Sequence, residues 1–102
     1  MMNVLKQKYH RSENVPWQVL DDGAVLLEVL TGHYYTLNDV AARIWELLDG
    51  QKTLQDIRDV LLSEYQVDPD IVEADIDQFV NQLQQDNLIF IADETTSENN
   101  PV

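Results

Sequence analysis

The side chains that most often carry out chemistry are few in this chain, and they are not grouped. The two histidines, His10 and His33, have no cysteine beside them and no metal-binding spacing, so a zinc site would have to recruit distant carboxylates. The three serines, Ser12, Ser63 and Ser97, lie in no nucleophile-elbow motif, and no glycine-rich phosphate loop is present. The sequence therefore predicts no catalytic residue, no metal site and no cofactor.

The net charge of the chain limits the classes of molecule that it can bind. The chain carries 19 acidic and 6 basic residues, a formal net charge of −13, and has no Lys or Arg after Arg58. Such a surface repels nucleic-acid phosphates and anionic lipid, which bind proteins mainly through Lys and Arg. We therefore expect no nucleic-acid or membrane partner. The charge favours a basic or neutral peptide partner, although an acidic excess also serves simply to keep a small protein in solution.

The length of 102 residues and the 44% hydrophobic content predict one domain. The opening segment, MMNVLKQKYHRSENVPW, lacks the apolar core of a signal peptide, and no later run could span a bilayer, so we expect a cytoplasmic protein. Residues 1–14 show no clear period and are predicted to form an N-terminal arm. Residues 15–91 form the predicted domain, and the polar residues 92–102 are predicted to be a disordered acidic tail.

Three strands are predicted in the first part of the domain. Apolar runs at residues 17–20 and 24–30 flank an Asp-Asp-Gly turn, which is typical of a β-hairpin. A second turn at Thr31-Gly32 leads to residues 33–37, where Tyr35 and Leu37 share one face and Tyr34 and Thr36 share the other. A meander of this size needs helices on one face.

Three helices are predicted to follow, each with a recognisable beginning. Asn38 is a favoured N-cap for a first helix that continues to Gly50. Thr53 begins the second helix, and Asp68 followed by proline begins the third. Asn87 is a predicted left-handed terminator, after which residues 88–91 are expected to form a short extended segment. The predicted fold class is α+β, a three-stranded antiparallel sheet followed by three helices, similar to a winged helix-turn-helix.

A peptide-binding surface is the function that these elements favour. Residues 33–37 would form an edge strand, and an exposed edge offers free N–H and C=O groups to a partner strand. The third helix would complete a groove, with Ile76 and Phe79 as apolar walls and Asp75 facing a basic or polar side chain. The alternative is that Ile76, Phe79 and Tyr35 simply fill the core.

Short motifs in a fixed order run through residues 15–91. They are Leu-Asn at 37–38, Ile-Trp at 44–45, Asp-Gly at 49–50 and Val-x-x-Asp at 72–75, accompanied by Thr53, Ile57, Tyr65, Leu83 and Asn87-Leu88-Ile89. In this order they resemble the PqqD-like family, whose members are recognition elements in pathways of ribosomally made, post-translationally modified peptides. Asn87 stands where many members have glycine.

The resemblance implies a non-catalytic protein that captures the leader segment of a precursor peptide. It implies that the leader lies as an extra strand against the third strand, in a groove completed by the third helix. It also implies delivery of the leader to a separate peptidase, cyclase or radical enzyme, and the Tyr-Tyr-x-Leu-Asn form is most similar to discrete leader-binding proteins of lasso-peptide pathways. The implied peptide-binding residues are His33, Tyr34, Tyr35, Thr36, Leu37, Val72, Asp75, Ile76 and Phe79.

A second hypothesis belongs to another class of function. The chain would then be a regulatory or scaffold domain that binds a partner enzyme through its acidic third helix and has no affinity for a leader peptide.

Overall fold

The computed structural model of this chain describes residues 6–92. Nine elements follow one another within them. In chain order they are β1 Lys8–Arg11, β2 Trp17–Leu20, β3 Gly23–Glu28, β4 His33–Asn38, α1 Asp39–Leu47, β5 Asp49–Thr53, α2 Leu54–Glu64, α3 Pro69–Gln85 and β6 Ile89–Ile91.

The predicted meander is present as an antiparallel sheet in the order β2-β3-β4. Its register pairs Leu26 of β3 with Trp17 on one side and Tyr35 on the other. Gly23 begins β3 at a point where the chain passes very close to β4, because a Cβ there would lie 1.9 Å from the carbonyl oxygen of Leu37. Glycine is required at this position by that close approach.

The predicted N-terminal boundaries of the three helices are confirmed by hydrogen bonds at their caps. The Asn38 side chain accepts from the Ala41 N–H at the start of α1, and Thr53 forms a reciprocal capping box with Asp56 at the start of α2. Asp68 caps α3 immediately before the proline at its first position. Beyond α3, Asn87 adopts a positive φ of 61°, as expected of a left-handed terminator. The predicted end of the first helix at Gly50 is wrong, because α1 ends at Leu47 and Gly50 lies in β5.

A second sheet is the main departure from the predicted architecture, because the sequence pattern indicates only one. Strand β1 lies at its centre and pairs antiparallel with β5 and β6. The fold is therefore α+β with two small antiparallel sheets and three helices. Strand β1 falls within residues 1–14, for which an arm is predicted, whereas residues 93–102 of the predicted tail lie outside the described part of the chain.

Arg11, the last residue of β1, joins the second sheet to α1. Its Nη1 donates to the carbonyl oxygens of Trp45, Glu46 and Leu48 at 2.9, 2.8 and 3.2 Å. These carbonyls lie at the C-terminal end of the helix, where a positive charge is favourable. Since α1 has no basic residue in its own last turn, Arg11 supplies that charge from a distant strand.

The core lies between the inner face of the first sheet and the three helices. Trp45 of α1 is fully buried and meets Trp17 of β2 edge to face, with ring centroids 6.1 Å apart. The other side chains that are completely covered come from both sheets, the helices and the α3–β6 turn; they include Leu26, Leu48, Leu54, Ile57, Ile76, Leu88 and Ile89. Across residues 6–92, no helix is both long and apolar enough to cross a membrane.

Candidate functional site

Strand β4 lies at an open edge of the first sheet. It pairs with β3 on one side, and within residues 6–92 no strand pairs with its other side. An open edge of this kind presents unpaired main-chain donors and acceptors.

The register identifies which backbone groups point outward. The Leu27 N–H donates to the Pro16 carbonyl at 3.0 Å, so the backbone groups of Leu27 face β2. Because these groups alternate in direction along an antiparallel strand, those of Leu26 face β4 and its partner Tyr35. The N–H and C=O of Tyr34 and Thr36 consequently point away from β3, toward the open edge.

The side chains of β4 divide between the two faces of the sheet as the alternation predicts. Leu37 is buried and Tyr35 is half-buried against the core, whereas Tyr34 and Thr36 are exposed on the opposite face. His33 is also exposed, since it lies beside the Thr31-Gly32 turn at the far end of the strand. The five predicted strand residues thus form a continuous edge.

A groove of about 500 Å³ begins where β4 ends. Asn38 lies at its boundary with the strand, and Val40, Ala41 and Ile44 of α1 form one wall. Leu61 of α2 contributes to the lining between this wall and α3. The groove therefore meets the open edge at Asn38, whereas residues 33–37 do not line it.

The opposite wall is α3, as the sequence predicts, although not every predicted residue reaches it. Val72, Asp75 and Phe79 line the groove together. Ile76 is fully buried at 0% exposure and lies in the core, outside the groove lining. Asp75 is exposed on the wall, so a carboxylate is available to a side chain that enters the groove.

Sequence reasoning missed four residues on the same side of the groove. Gln78 and Gln82 extend the polar part of the α3 wall, and Val67 and Ile71 add apolar surface near the start of the helix. Ile71 is 59% exposed and lies outside the apolar stripe of α3. An isoleucine that does not fit the core-facing period was the available signal for a surface role.

Tyr35 and Asp86 bring β4 close to the C-terminal end of α3. Burial, and then the neighbouring Asp86 carboxylate, raise the pKa of the Tyr35 phenol above its usual value. Asp86 is the C-cap residue of α3. The Tyr35 side chain of β4 therefore lies near the C-terminal end of α3.

An ion pair joins α1 to α2. Arg43 Nη2 lies 2.8 Å from Glu64 Oε2, and Arg43 also contacts Glu46. The hydrogen bond to Glu64 raises the pKa of Arg43, and the same bond lowers the pKa of the Glu64 carboxyl. The charge of Arg43 is therefore matched by carboxylates of α1 and α2.

Metal binding has no support in the part of the chain that the structure describes. There, no group of three or more His, Cys, Asp or Glu side chains is arranged to hold a metal ion.

Comparison with known proteins gives the family. The model of the family described as Coenzyme PQQ synthesis protein D (PqqD) matches residues 23–89, a span that contains β4 and all of α3. The chain belongs to the PqqD family. No curated protein matches it significantly.

Two solved structures are similar to this PqqD-family chain, and both are complexes with leader peptides. TbiB1 in complex with the TbiA(beta) leader peptide is 38% identical, with a TM-score of 0.70, over 78% of this chain and 93% of that one. Lasso peptide synthetase B1, complexed with the leader peptide, is 30% identical, with a TM-score of 0.71, over 81% of this chain and 98% of that one.

Proposed function

We propose that this PqqD-family chain binds the leader segment of a ribosomally made precursor peptide, by strand addition to β4, and presents it to a processing enzyme. The observation that carries the proposal is that the open edge of β4 meets the apolar groove beside α3 at Asn38. The complexes of TbiB1 and lasso peptide synthetase B1 with their leader peptides support a leader peptide as the molecule that binds here.

Affinity in this proposal comes from the main chain and selectivity from the groove. The N–H and C=O groups of Tyr34 and Thr36 pair with the leader without reading its side chains. Alternate leader side chains then point toward the helices, because successive residues of a strand face opposite sides. An apolar side chain is received between Val40 and Phe79, and a basic or polar one is received by Asp75.

In this proposal a separate protein carries out the chemistry. The chain holds the leader and leaves its cleavage or modification to a separate peptidase, cyclase or radical enzyme, with a lasso-peptide pathway as the favoured setting. Precursor peptides are made by ribosomes, so we place this step in the cytoplasm. We also infer that β2, β3 and β4 correspond to the wing of a winged helix-turn-helix variant.

Fluorescence anisotropy of a labelled leader peptide tests this function with a matched pair of proline variants. Thr36→Pro removes one outward N–H from the β4 edge, and Val19→Pro removes one from β2, the opposite edge of the same sheet. Neither N–H takes part in the pairing with β3, so both variants should fold.

We expect Thr36→Pro to weaken leader binding by at least about tenfold, the equivalent of one main-chain hydrogen bond of roughly 1.4 kcal/mol. Val19→Pro should bind as the unaltered chain does. Equal binding by all three proteins would contradict strand addition at β4, and an absence of leader binding by the unaltered chain would contradict the proposed function.

A further inference from the structure

The turn between β3 and β4 has an unusual composition for an exposed tip. Val29 and Leu30 occupy it, and Leu30 is 87% exposed. Turns are normally built from Gly, Asn, Asp, Pro and Ser, which lose nothing by facing water. Tyr34, at 71% exposure, and its cross-strand partner Leu27 continue this apolar surface along the sheet. We name Leu27, Val29, Leu30 and Tyr34 the tip patch.

The turn is held in place by its own hydrogen bonds. Glu28 Oε1 accepts from the Thr31 N–H at 2.9 Å and from its hydroxyl at 3.1 Å. The Glu28 carbonyl accepts from the Gly32 N–H at 2.7 Å, and Gly32 adopts a φ of +79°. The tip patch is therefore presented to solvent in a defined position.

Charge distinguishes among the possible occupants of this patch. The sequence has no Lys or Arg between Arg11 and Arg43, while Asp21, Asp22 and Glu28 fall in that interval. With a net charge of −13, a second copy of the chain would meet like charge, and so would an anionic lipid surface. An apolar protein surface flanked by Lys and Arg matches both the patch and its surroundings.

The patch also adjoins the site proposed for the leader. Tyr34 belongs to both, because its backbone groups lie on the open edge of β4 and its side chain lies in the tip patch. A strand added to β4 would extend the sheet beside the patch. A protein that docks there therefore reaches the bound leader as well.

We propose that the tip patch is the docking surface for the enzyme that processes the leader, through an apolar surface of that enzyme flanked by basic residues. This inference rests on the proposed function. It assigns recognition of the leader to β4 and the groove, and recognition of the enzyme to the β3–β4 turn.

The test uses the purified leader peptidase of the same pathway as the probe. Its binding to the full chain is measured by surface plasmon resonance, with and without the leader. Leu30→Ser removes the most exposed member of the patch, and Phe90→Ser is the matched control, since Phe90 is a half-exposed apolar residue of the second sheet. Leader anisotropy is measured on the same three proteins.

We expect Leu30→Ser to weaken peptidase binding by about tenfold, with leader affinity unchanged and the Phe90→Ser control behaving as the unaltered chain does. Equal peptidase binding by the unaltered chain and Leu30→Ser, or no binding by either, would overturn the docking surface. Leu30-dependent self-association in sedimentation, or Leu30-dependent binding to phosphatidylcholine vesicles, would instead assign the patch to another occupant. Absence of leader binding by the unaltered chain would overturn the proposed function, whereas the docking surface is judged separately, by peptidase binding to the unaltered chain and to Leu30→Ser.

Discussion

The side chain of Asn38 accepts a hydrogen bond from the backbone N–H of Ala41 at 2.8 Å, and both residues line the groove. Asn38 is the last residue of β4 and the N-cap of α1. One hydrogen bond thus fixes the angle between the open edge and the first wall of the groove. The proposed docking strand and its apolar surface are therefore parts of one continuous segment.

Asn38→Ala should lower the free energy of unfolding by about 1 kcal/mol, because the Ala41 N–H loses its acceptor and the first turn of α1 frays. Urea denaturation measures this change. Asn38→Asp keeps an accepting oxygen and should retain most of the stability. If the alanine variant were as stable as the unaltered chain, the cap would have no role in positioning α1.

Ile71→Ser should weaken leader binding while leaving the fold intact. Ile71 is exposed in the free chain but lines the groove, so its apolar surface is covered only when a peptide is bound. Loss of about 1 kcal/mol of apolar burial corresponds to roughly fivefold in the dissociation constant. Ile91→Ser, on the far strand β6, is the control. A similar loss in both variants would show that the effect does not come from the groove.

Arg11→Ala should destabilise the protein by roughly 2 kcal/mol, because three carbonyl oxygens at the end of α1 lose a charged donor. The guanidinium also lies over the Trp17 ring, 5.1 Å from its centroid. Arg43→Ala removes an arginine that pairs near the surface and should cost about 1 kcal/mol or less. Thermal and urea unfolding compare the two, and an equal loss would contradict the role of Arg11 in joining the second sheet to α1.

The pair between Arg43 and Glu64 makes part of the stability depend on pH. The hydrogen bond from Arg43 lowers the pKa of Glu64 in the folded chain, so the unfolded chain binds a proton more readily. The pair therefore stabilises the fold above the ordinary glutamate pKa of about 4.3, and this contribution is lost as the pH falls toward the lowered value. The Tm of Glu64→Gln should be slightly lower than that of the unaltered chain at pH 7, and this difference in Tm should be smaller at pH 3. A difference in Tm that is the same at both pH values would contradict a contribution of the Glu64 pKa to stability.

The elements that could be predicted carry local signals in the sequence. The side chains of capping residues such as Asn38 and Thr53 accept hydrogen bonds from N–H groups within a few positions. Asn87 adopts the positive φ that asparagine itself tolerates well. The second sheet has no comparable signal. Strand β1 buries only Tyr9, and β5 reads DGQKT, so neither shows apolar alternation, and their pairing joins segments about 40 residues apart.

The candidate site could be predicted only in part from the sequence. The edge position of residues 33–37 follows from the order of a meander, and Asp75 and Phe79 follow from placing the third helix beside that edge. Val72 is implied as a site residue by the resemblance to the PqqD-like family. Periodicity places Ile76 on the same side of the helix, but its exact rotation, which buries Ile76 and exposes Ile71, is set by packing against distant elements. The α1 wall depends on that packing as well.

Amide hydrogen exchange at single-residue resolution, with and without leader peptide, tests strand addition most directly. If the leader pairs with β4, it should slow exchange at the N–H groups of Tyr34 and Thr36, which point to the open edge, while exchange at the N–H of Tyr35, already directed at β3, should change little. The outward N–H of Val19 on β2 should also be unaffected. Protection confined to β2, or leader binding with no protection of Tyr34 and Thr36, would contradict strand addition at β4.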